Sequence, residues 1–110
     1  MTYFHKSLAS GQWFKLLFFE QMANIGSEVE RAISWKQKKN KEYSQQAFYR
    51  CLELLDLTIA DIKNRSRLIE LVRLREVLAD YFIFDNQYQS SDKKWQSYFY
   101  PFNLAVRINC

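Results

Sequence analysis

Paired carboxylates are the residues of this chain that could most directly do chemistry. Glu53 and Asp56 lie three positions apart, so both side chains fall on one side of a helix. Carboxylate oxygens at that spacing can share a Mg²⁺ ion, which prefers oxygen ligands. The pair therefore has to be tested first as one half of a metal site.

The second half of such a site is missing. All-α nucleotide pyrophosphohydrolases add a doubled glutamate with a third acid one turn later, and Glu28-Val29-Glu30 lacks that pattern. Solvated helix acids explain Glu53 and Asp56 more simply, because oppositely charged side chains three or four positions apart stabilise exposed helices. A magnesium-dependent pyrophosphohydrolase is therefore only a remote alternative.

Histidine and cysteine usage excludes most other active sites. His5 is the only histidine and precedes the first predicted helix, so the helical interior lacks the usual general base and metal ligand. Triads, di-iron sites and closed zinc sites are excluded. Cys51 falls among apolar positions and is predicted to be a buried thiol, whereas Cys110 is assigned no role. We predict no cofactor and no bound metal.

Composition indicates one folded, helical domain spanning residues 1–110. The chain is 48% hydrophobic and 17% aromatic, yet it has only two glycines and one proline, too few for the turns of a sheet. The net charge of +4 permits weak attraction to nucleic acid. No secretory signal or membrane span is expected, and two distant cysteines suit a reducing compartment, so we predict a cytoplasmic protein.

Apolar residues recur with the period of a helix in four segments, which predicts an all-α, up-and-down antiparallel four-helix bundle. Ser10 is the predicted cap of the first helix, and Pro101 predicts a kink in the last helix or two short helices meeting near Tyr100. The predicted ranges are about Gly11 to Trp35, Glu42 to Ile62, a cap at Asn64 or Ser66 followed by helix to Phe82, and a fourth helix from Ser91.

Polar rows on these helices are the candidate binding residues. Asn24, Glu28 and Arg31 share one side of the first helix, bracketed by Trp13 and Trp35. Tryptophans beside a polar row favour a contact surface or groove, because a fully exposed indole is unusual. The alternative is that the tryptophans cover the bundle ends while the polar row meets water.

Two further rows lie on the later helices. Arg73, Glu76 and Asp80 form the polar stripe of the third helix, and Asn103 with Arg107 forms a row on the last. Either row can be a binding surface or plain solvated helix. Because the third helix has so narrow a polar stripe, we predict that it is central or part of an oligomer contact.

Arg75 interrupts the apolar arc of the third helix, between Leu71 and Leu78. An unpaired charge buried there would cost several kcal/mol, so the residue is predicted to be interior and paired. The candidate partners are Glu28, Glu53, Asp56 or an acid of a second copy. A structural ion pair is favoured over a ligand-binding arginine.

Several segments carry a resemblance to known families: Asn24 to Ala32, Leu52 to Ile59, Arg73 to Leu78, and Tyr98 to Arg107. They resemble a family of short, uncharacterised microbial all-helical proteins, which implies the same fold and no particular activity. A broader likeness is to HEPN-type helical bundles, some of which are ribonucleases. Those use a histidine after the arginine of the last helix, and here Ile108, Asn109 and Cys110 follow Arg107, so the likeness implies a non-catalytic member.

Together these observations predict a non-enzymatic bundle that binds another protein or itself, most simply as a homodimer. The alternative is an RNA- or nucleotide-binding accessory protein that uses Arg31, Arg73 and Arg107 for charge and Trp13 or Trp35 for stacking. The two basic clusters, at 36–41 and 63–67, cap opposite ends of the second helix, roughly 30 Å apart, and do not form one patch.

Overall fold

The computed structural model describes residues 11–108 and confirms the all-α four-helix bundle, with no strand in that range. The helices are α1 (Phe18–Gln37), α2 (Lys41–Ala60), α3 (Leu68–Phe82) and α4 (Asp92–Ile108), and 3-10 helices cover Gln12–Lys15 and Ile62–Arg67. His5, Ser10 and Cys110 lie outside the described residues.

Helix α1 is the centre of the bundle. It packs extensively against both α2 and α4, whereas α3 packs principally on α2 and on the second 3-10 helix. The predicted central position of α3 is therefore wrong. The reason is that α1 buries residues around most of its circumference, including Met22, Ala23 and Val29, so it can face two neighbours.

All four helices contribute to one hydrophobic core. Its members include Ile25 and Ile33 from α1, Phe48 and Leu55 from α2, Leu71 and Leu78 from α3, and Trp95 and Phe99 from α4. The rings of Phe48 and Phe82 stack with their centroids 4.9 Å apart. This contact joins α2 to the end of α3.

Gly26 allows α1 and α4 to approach closely. A Cβ atom at that position would lie 2.9 Å from Cδ1 of Phe99, closer than real side chains pack. The missing side chain is therefore a packing requirement of the α1–α4 contact rather than a turn.

The first predicted helix is interrupted before Phe18. The chain forms a 3-10 helix, becomes extended at Leu16 and Leu17, and only then enters α1. Trp13 is thereby turned into the core, where its Nε1 donates to Oγ1 of Thr58 at 2.9 Å. Glu20 fixes the start of α1, because its Oε1 accepts the Leu17 N–H at 2.8 Å.

Neither predicted cap of the third helix caps it. Helix α3 begins at Leu68 after Arg67, without a side-chain cap, and Ser66 is exposed. Asn64 is instead buried, and its Nδ2 donates to Oε1 of Gln21 at 2.9 Å and to the Thr58 carbonyl at 3.0 Å. A polar residue that looked like a helix cap is thus an interior bonding group.

Helix α4 continues through Pro101 as one element. The alternative of two short helices meeting near Tyr100 is therefore wrong, and the kink at Pro101 stays a prediction.

Candidate functional site

The first polar row does not form one surface. Asn24 and Arg31 are exposed, whereas Glu28 is only 6% exposed and faces α2. Its carboxylate accepts Nη1 of Arg31 at 3.0 Å and Nε of Arg50 at 3.3 Å. The buried charge is thus compensated from both helices, and Glu28 serves the α1–α2 contact.

The two tryptophans that bracketed this row differ in their environments. Trp13 is a core residue and lends no face to a ligand. Trp35 is half-buried and packs edge-on against Tyr43, with ring centroids 4.9 Å apart, while Nζ of Lys38 lies 5.0 Å from its ring. Of these two tryptophans, only Trp35 has ring surface that solvent can reach.

A groove between α1 and α4 brings two of the predicted rows together. Asn24 from the first row lines it with Asn103 and Arg107 from the last, in a volume of about 550 Å³. The amide of Asn24 already donates to the Glu20 carbonyl at 2.8 Å. The groove is open, and none of the described polar residues that line it is buried.

The polar row of α3 is partly structural. Asp80 is buried, and its two carboxylate oxygens accept the backbone N–H groups of Gln87 and Tyr88 at 2.9 and 3.0 Å. These bonds fold the α3–α4 loop back over the helix. Glu76 accepts the Tyr88 hydroxyl at 2.9 Å, and Arg73 is exposed. Asp80 therefore anchors the α3–α4 loop to the helix.

Arg75 has one of the partners predicted for it but not the predicted burial. Its Nε lies 2.8 Å from Oδ1 of Asp56, and its side chain is 40% exposed. The core-facing direction of α3 passes through Leu71, Leu74 and Leu78, which leaves Arg75 at the edge of the apolar arc. The predicted interior location of Arg75 is therefore wrong, and its ion pair with Asp56 is exposed to solvent.

The outward side of α3 carries apolar residues that are substantially exposed. Ile69 is 80% exposed, Val72 49% and Ile83 41%. We define the α3 outer face as Ile69, Val72, Arg73, Glu76, Ala79 and Ile83. Apart from Arg73, these positions follow a three-four-three-four spacing, which is that of a coiled-coil seam.

The α3 outer face adjoins a groove of about 570 Å³. Val72, Glu76 and Ala79 line it from α3, and Phe84 and Tyr88 line it from the following loop. Phe84 is largely exposed as well. The exposed apolar surface is therefore continuous with a depression rather than confined to isolated side chains.

A buried polar network lies at the amino end of α1 and was not predicted. Its members are Trp13, Gln21, Thr58, Asp61 and Asn64. Nε2 of Gln21 donates to Oδ2 of Asp61 at 2.9 Å and to the Trp13 carbonyl at 3.2 Å. Every side chain of the set has a partner, so the network is structural. No sequence pattern reveals it, because Gln21 and Asn64 are far apart in the chain.

Asp61 is the charged member of this network. Partial burial raises the pKa of its carboxyl, but hydrogen bonds from Lys63 and Gln21 outweigh that effect and leave the pKa below its usual value. Nζ of Lys63 bonds the same carboxylate and the Phe14 carbonyl. The ionised form of Asp61 is therefore the one that the fold stabilises.

Three arginines proposed for nucleic-acid binding do not gather. Arg31 pairs with Glu28, Arg73 lies on the α3 outer face, and Arg107 lies in the α1–α4 groove. These side chains belong to three separate surfaces.

Metal-binding and thiol chemistry find little support in the geometry. Within residues 11–108, no three acidic, histidine or cysteine side chains are placed to hold a metal ion, and Asp56 is engaged by Arg75. Cys51 is confirmed as a core residue, and burial raises the pKa of its thiol. A buried, protonated thiol is a poor nucleophile.

No family model matches the chain, and no curated protein or solved structure is significantly similar to it. The likeness to short microbial helical proteins and to HEPN-type bundles stays a prediction. None of the described helices has the length and apolar character needed to cross a membrane.

Proposed function

We propose that this protein is a non-enzymatic helical bundle that associates with a second copy of itself through the α3 outer face. The observation that supports it is the exposure of three apolar residues, Ile69 at 80%, Val72 and Ile83, at positions of a coiled-coil spacing that Glu76 and the half-buried Ala79 complete. Solvent-exposed isoleucine and valine in a row favour burial against another helix.

The charges on this face favour a second copy over an unrelated partner. Arg73 and Glu76 lie one turn apart on α3, and within the described residues Arg73 forms no ion pair. Antiparallel pairing about a two-fold axis between them places Arg73 of each copy opposite Glu76 of the other. Two reciprocal ion pairs then lie at the centre of the contact, with Ile69 and Val72 on one side of them and Ala79 and Ile83 on the other, and the arrangement is self-complementary.

The size of the α3 outer face limits how tightly two copies are expected to bind. Helix α3 has 15 residues and is about 22 Å long, and a stable interface usually buries about 800 Å² on each partner. Phe84 and Tyr88 extend the contact only at one end. We therefore expect a weak dimer with a dissociation constant on the order of micromolar.

Sedimentation velocity over a wide range of protein concentration tests the proposal. The wild type should shift from monomer to dimer, and I69S/V72S should stay monomeric because it removes the apolar contact. Tyr100→Ser is the matched control, since Tyr100 is an exposed apolar residue on α4, away from this face.

Charge reversal tests the geometry of the pairing. Arg73→Glu should weaken the dimer about tenfold by opposing Glu76 of the other copy, and Glu76→Arg should do the same. The R73E/E76R double variant should restore association, because each new charge again faces its opposite. A wild type that stays monomeric at all concentrations would refute self-association and leave a different protein as the partner.

The proposed cellular location depends on a single residue, Cys51. The buried thiol of Cys51 is free, as is usual for cysteines in a reducing compartment, and this supports a cytoplasmic protein.

A further inference from the structure

One buried polar group of the described chain has no hydrogen-bond partner. Trp95 is only 6% exposed, and among residues 11–108 its Nε1 is the one buried side-chain nitrogen or oxygen that is left unbonded. Nε1 of the buried Trp13, by contrast, donates to Oγ1 of Thr58 at 2.9 Å. An indole N–H can only donate, and keeping it away from water without an acceptor costs free energy. The indole of Trp95 is therefore ready to donate to an acceptor from outside the chain.

Trp95 lines a cavity of about 370 Å³ between α1 and α4, which we call the Trp95 cavity. Its wall includes Gly26, Val29 and Glu30 from α1, and Trp95, Gln96 and Phe99 from α4. Each set of three falls within about one helical turn and therefore lies on one side of its helix. Because α1 and α4 pack against each other, the two sets border a common space.

The inner wall of the Trp95 cavity is apolar and partly aromatic. Gly26, Val29, Trp95 and Phe99 are all buried. The ring centroids of Trp95 and Phe99 lie 6.4 Å apart, with an interplanar angle of 33°. Aromatic walls of this kind favour another ring in offset or edge-on contact. The volume falls within the range of about 300–1,000 Å³ that is usual for small-molecule sites.

The rim of the Trp95 cavity is acidic. Glu30 and Gln96 are exposed, and Nε2 of Gln96 donates to Oε1 of Glu30 at 3.1 Å, which joins α4 to α1. Glu30 is the only charged residue in the described lining. Its carboxylate repels an anion that approaches the cavity. An acceptor for the indole N–H is therefore expected to be uncharged, as a carbonyl oxygen is.

We propose that the Trp95 cavity binds a small, neutral aromatic carbonyl compound. Its oxygen accepts the hydrogen bond from Nε1 of Trp95, and its ring packs against Trp95 and Phe99. Asn103 lines both this cavity and the neighbouring open groove, so the ligand has a route from solvent. The site shares no residue with the α3 outer face and does not depend on self-association.

Nitrogen-15 NMR of the indole N–H groups tests the proposal directly, with acetophenone as the probe. The resonance of Trp95 should move downfield as the carbonyl oxygen bonds to it, with a dissociation constant on the order of 1 mM. The resonance of Trp13 is the internal control and should stay in place, because its N–H already donates to Thr58. Equal shifts of the two resonances, or no shift of Trp95 at millimolar acetophenone, would overturn the proposal.

A matched ligand tests the need for an acceptor. In α-methylstyrene a CH₂ group replaces the carbonyl oxygen of acetophenone, and the shape is otherwise kept. It should bind about tenfold more weakly, because the buried N–H stays unbonded in the complex. Equal affinities for the two compounds would show that the indole N–H takes no part in binding.

Replacement of the indole tests which tryptophan donates. Trp95→Phe keeps an aromatic ring and removes the N–H, so it should bind acetophenone and α-methylstyrene with similar affinity. Trp35→Phe is the matched control, since Trp35 packs on Tyr43 outside the cavity, and it should keep the tenfold preference. A preference that persists in Trp95→Phe would refute the hydrogen bond. The comparison of ligands in the wild type remains decisive if Trp95→Phe does not fold.

Benzoate tests the charge at the rim. It has the size of acetophenone but is an anion, so the wild type should bind it more weakly. Glu30→Gln should strengthen benzoate binding about threefold at low salt, because the repelling charge is gone. Glu42→Gln, which removes an exposed carboxylate at the start of α2, should leave it unchanged. Tighter binding of benzoate than of acetophenone by the wild type would contradict an uncharged ligand.

Discussion

The buried polar network and the α3 outer face reverse the usual distribution of side chains. In the network, five polar or partly polar side chains lie in the interior, and each finds a partner. On the outer face, Ile69 and Val72 meet solvent although apolar groups gain by burial. The polar groups of the network are thus accounted for within the chain, and the exposed apolar groups of the outer face are not.

This difference separates structure from interaction. A fully bonded buried group such as Asn64 has its explanation in the fold itself. An exposed isoleucine at coiled-coil spacing has none within residues 11–108 and points to a surface outside the described chain. The predictions below test whether the two regions respond differently to substitution.

Disrupting the buried polar network should lower the stability of the fold more than any other change described below. Asn64→Leu removes two donated hydrogen bonds and leaves Oε1 of Gln21 and the Thr58 carbonyl without that partner in the interior. We expect the free energy of unfolding to fall by about 3 kcal/mol. Urea denaturation measures it, and exposed Asn24→Leu is the matched control, expected within about 0.5 kcal/mol. Equal effects at the two positions would remove the distinction.

The tight α1–α4 contact should respond next. Gly26→Ala places a methyl group against the buried Phe99 ring, and the strain exceeds the gain in helix propensity. We expect a loss of about 1–2 kcal/mol, measured by urea denaturation. Ser27→Ala, at the exposed neighbouring position, should leave stability nearly unchanged, and a stabilised Gly26→Ala would contradict the close contact.

Acid should weaken the network. Because the pKa of Asp61 is lowered in the folded state, its contribution is complete at neutral pH and is lost as the pH falls below about 4. Asp61→Asn should therefore be less stable than wild type at neutral pH and approach it in acid. Asp92, whose pKa is also lowered, leaves some acid sensitivity in the variant. Denaturation midpoints at several pH values measure the effect, and a constant difference would contradict it.

The exposed ion pair between Arg75 and Asp56 should contribute least to stability. Arg75→Met removes the bond to Asp56, but both side chains are substantially exposed, so the change should lie within about 0.5 kcal/mol. Thermal unfolding measures it. A loss of several kcal/mol would show that Arg75 is interior, as its place in the sequence had indicated.

Much of the fold follows from the period of the apolar residues. All four helices were predicted. The ends of α2 were placed to within two residues and the end of α3 at the correct residue, because positions such as Phe48, Leu55 and Leu78 recur on one side. The break before α1 was missed because Leu16 and Leu17 are ordinary helix formers. What turns the chain there is the distant bond from Trp13 to Thr58.

The candidate sites were less accessible from the sequence. Glu28 and Asp80 fell on polar rows, and only the approach of Arg50 and of the α3–α4 loop makes them interior anchors. The apolar arc of α3 was recognised as too wide, but which of its edges faced solvent depended on where α2 packs. Periodicity identifies a face, whereas the neighbouring helix decides whether that face is covered.

The weak attachment of α3 has a consequence for dynamics. This helix packs mainly on α2, so the free energy needed to open it locally is expected to be lower than for α1, which lies between two neighbours. Its backbone amides should exchange with deuterium earliest among the four helices at low protein concentration. A second copy bound over Ile69 and Val72 would slow that exchange, and dimer formation would thereby complete the folding of the helix that mediates it.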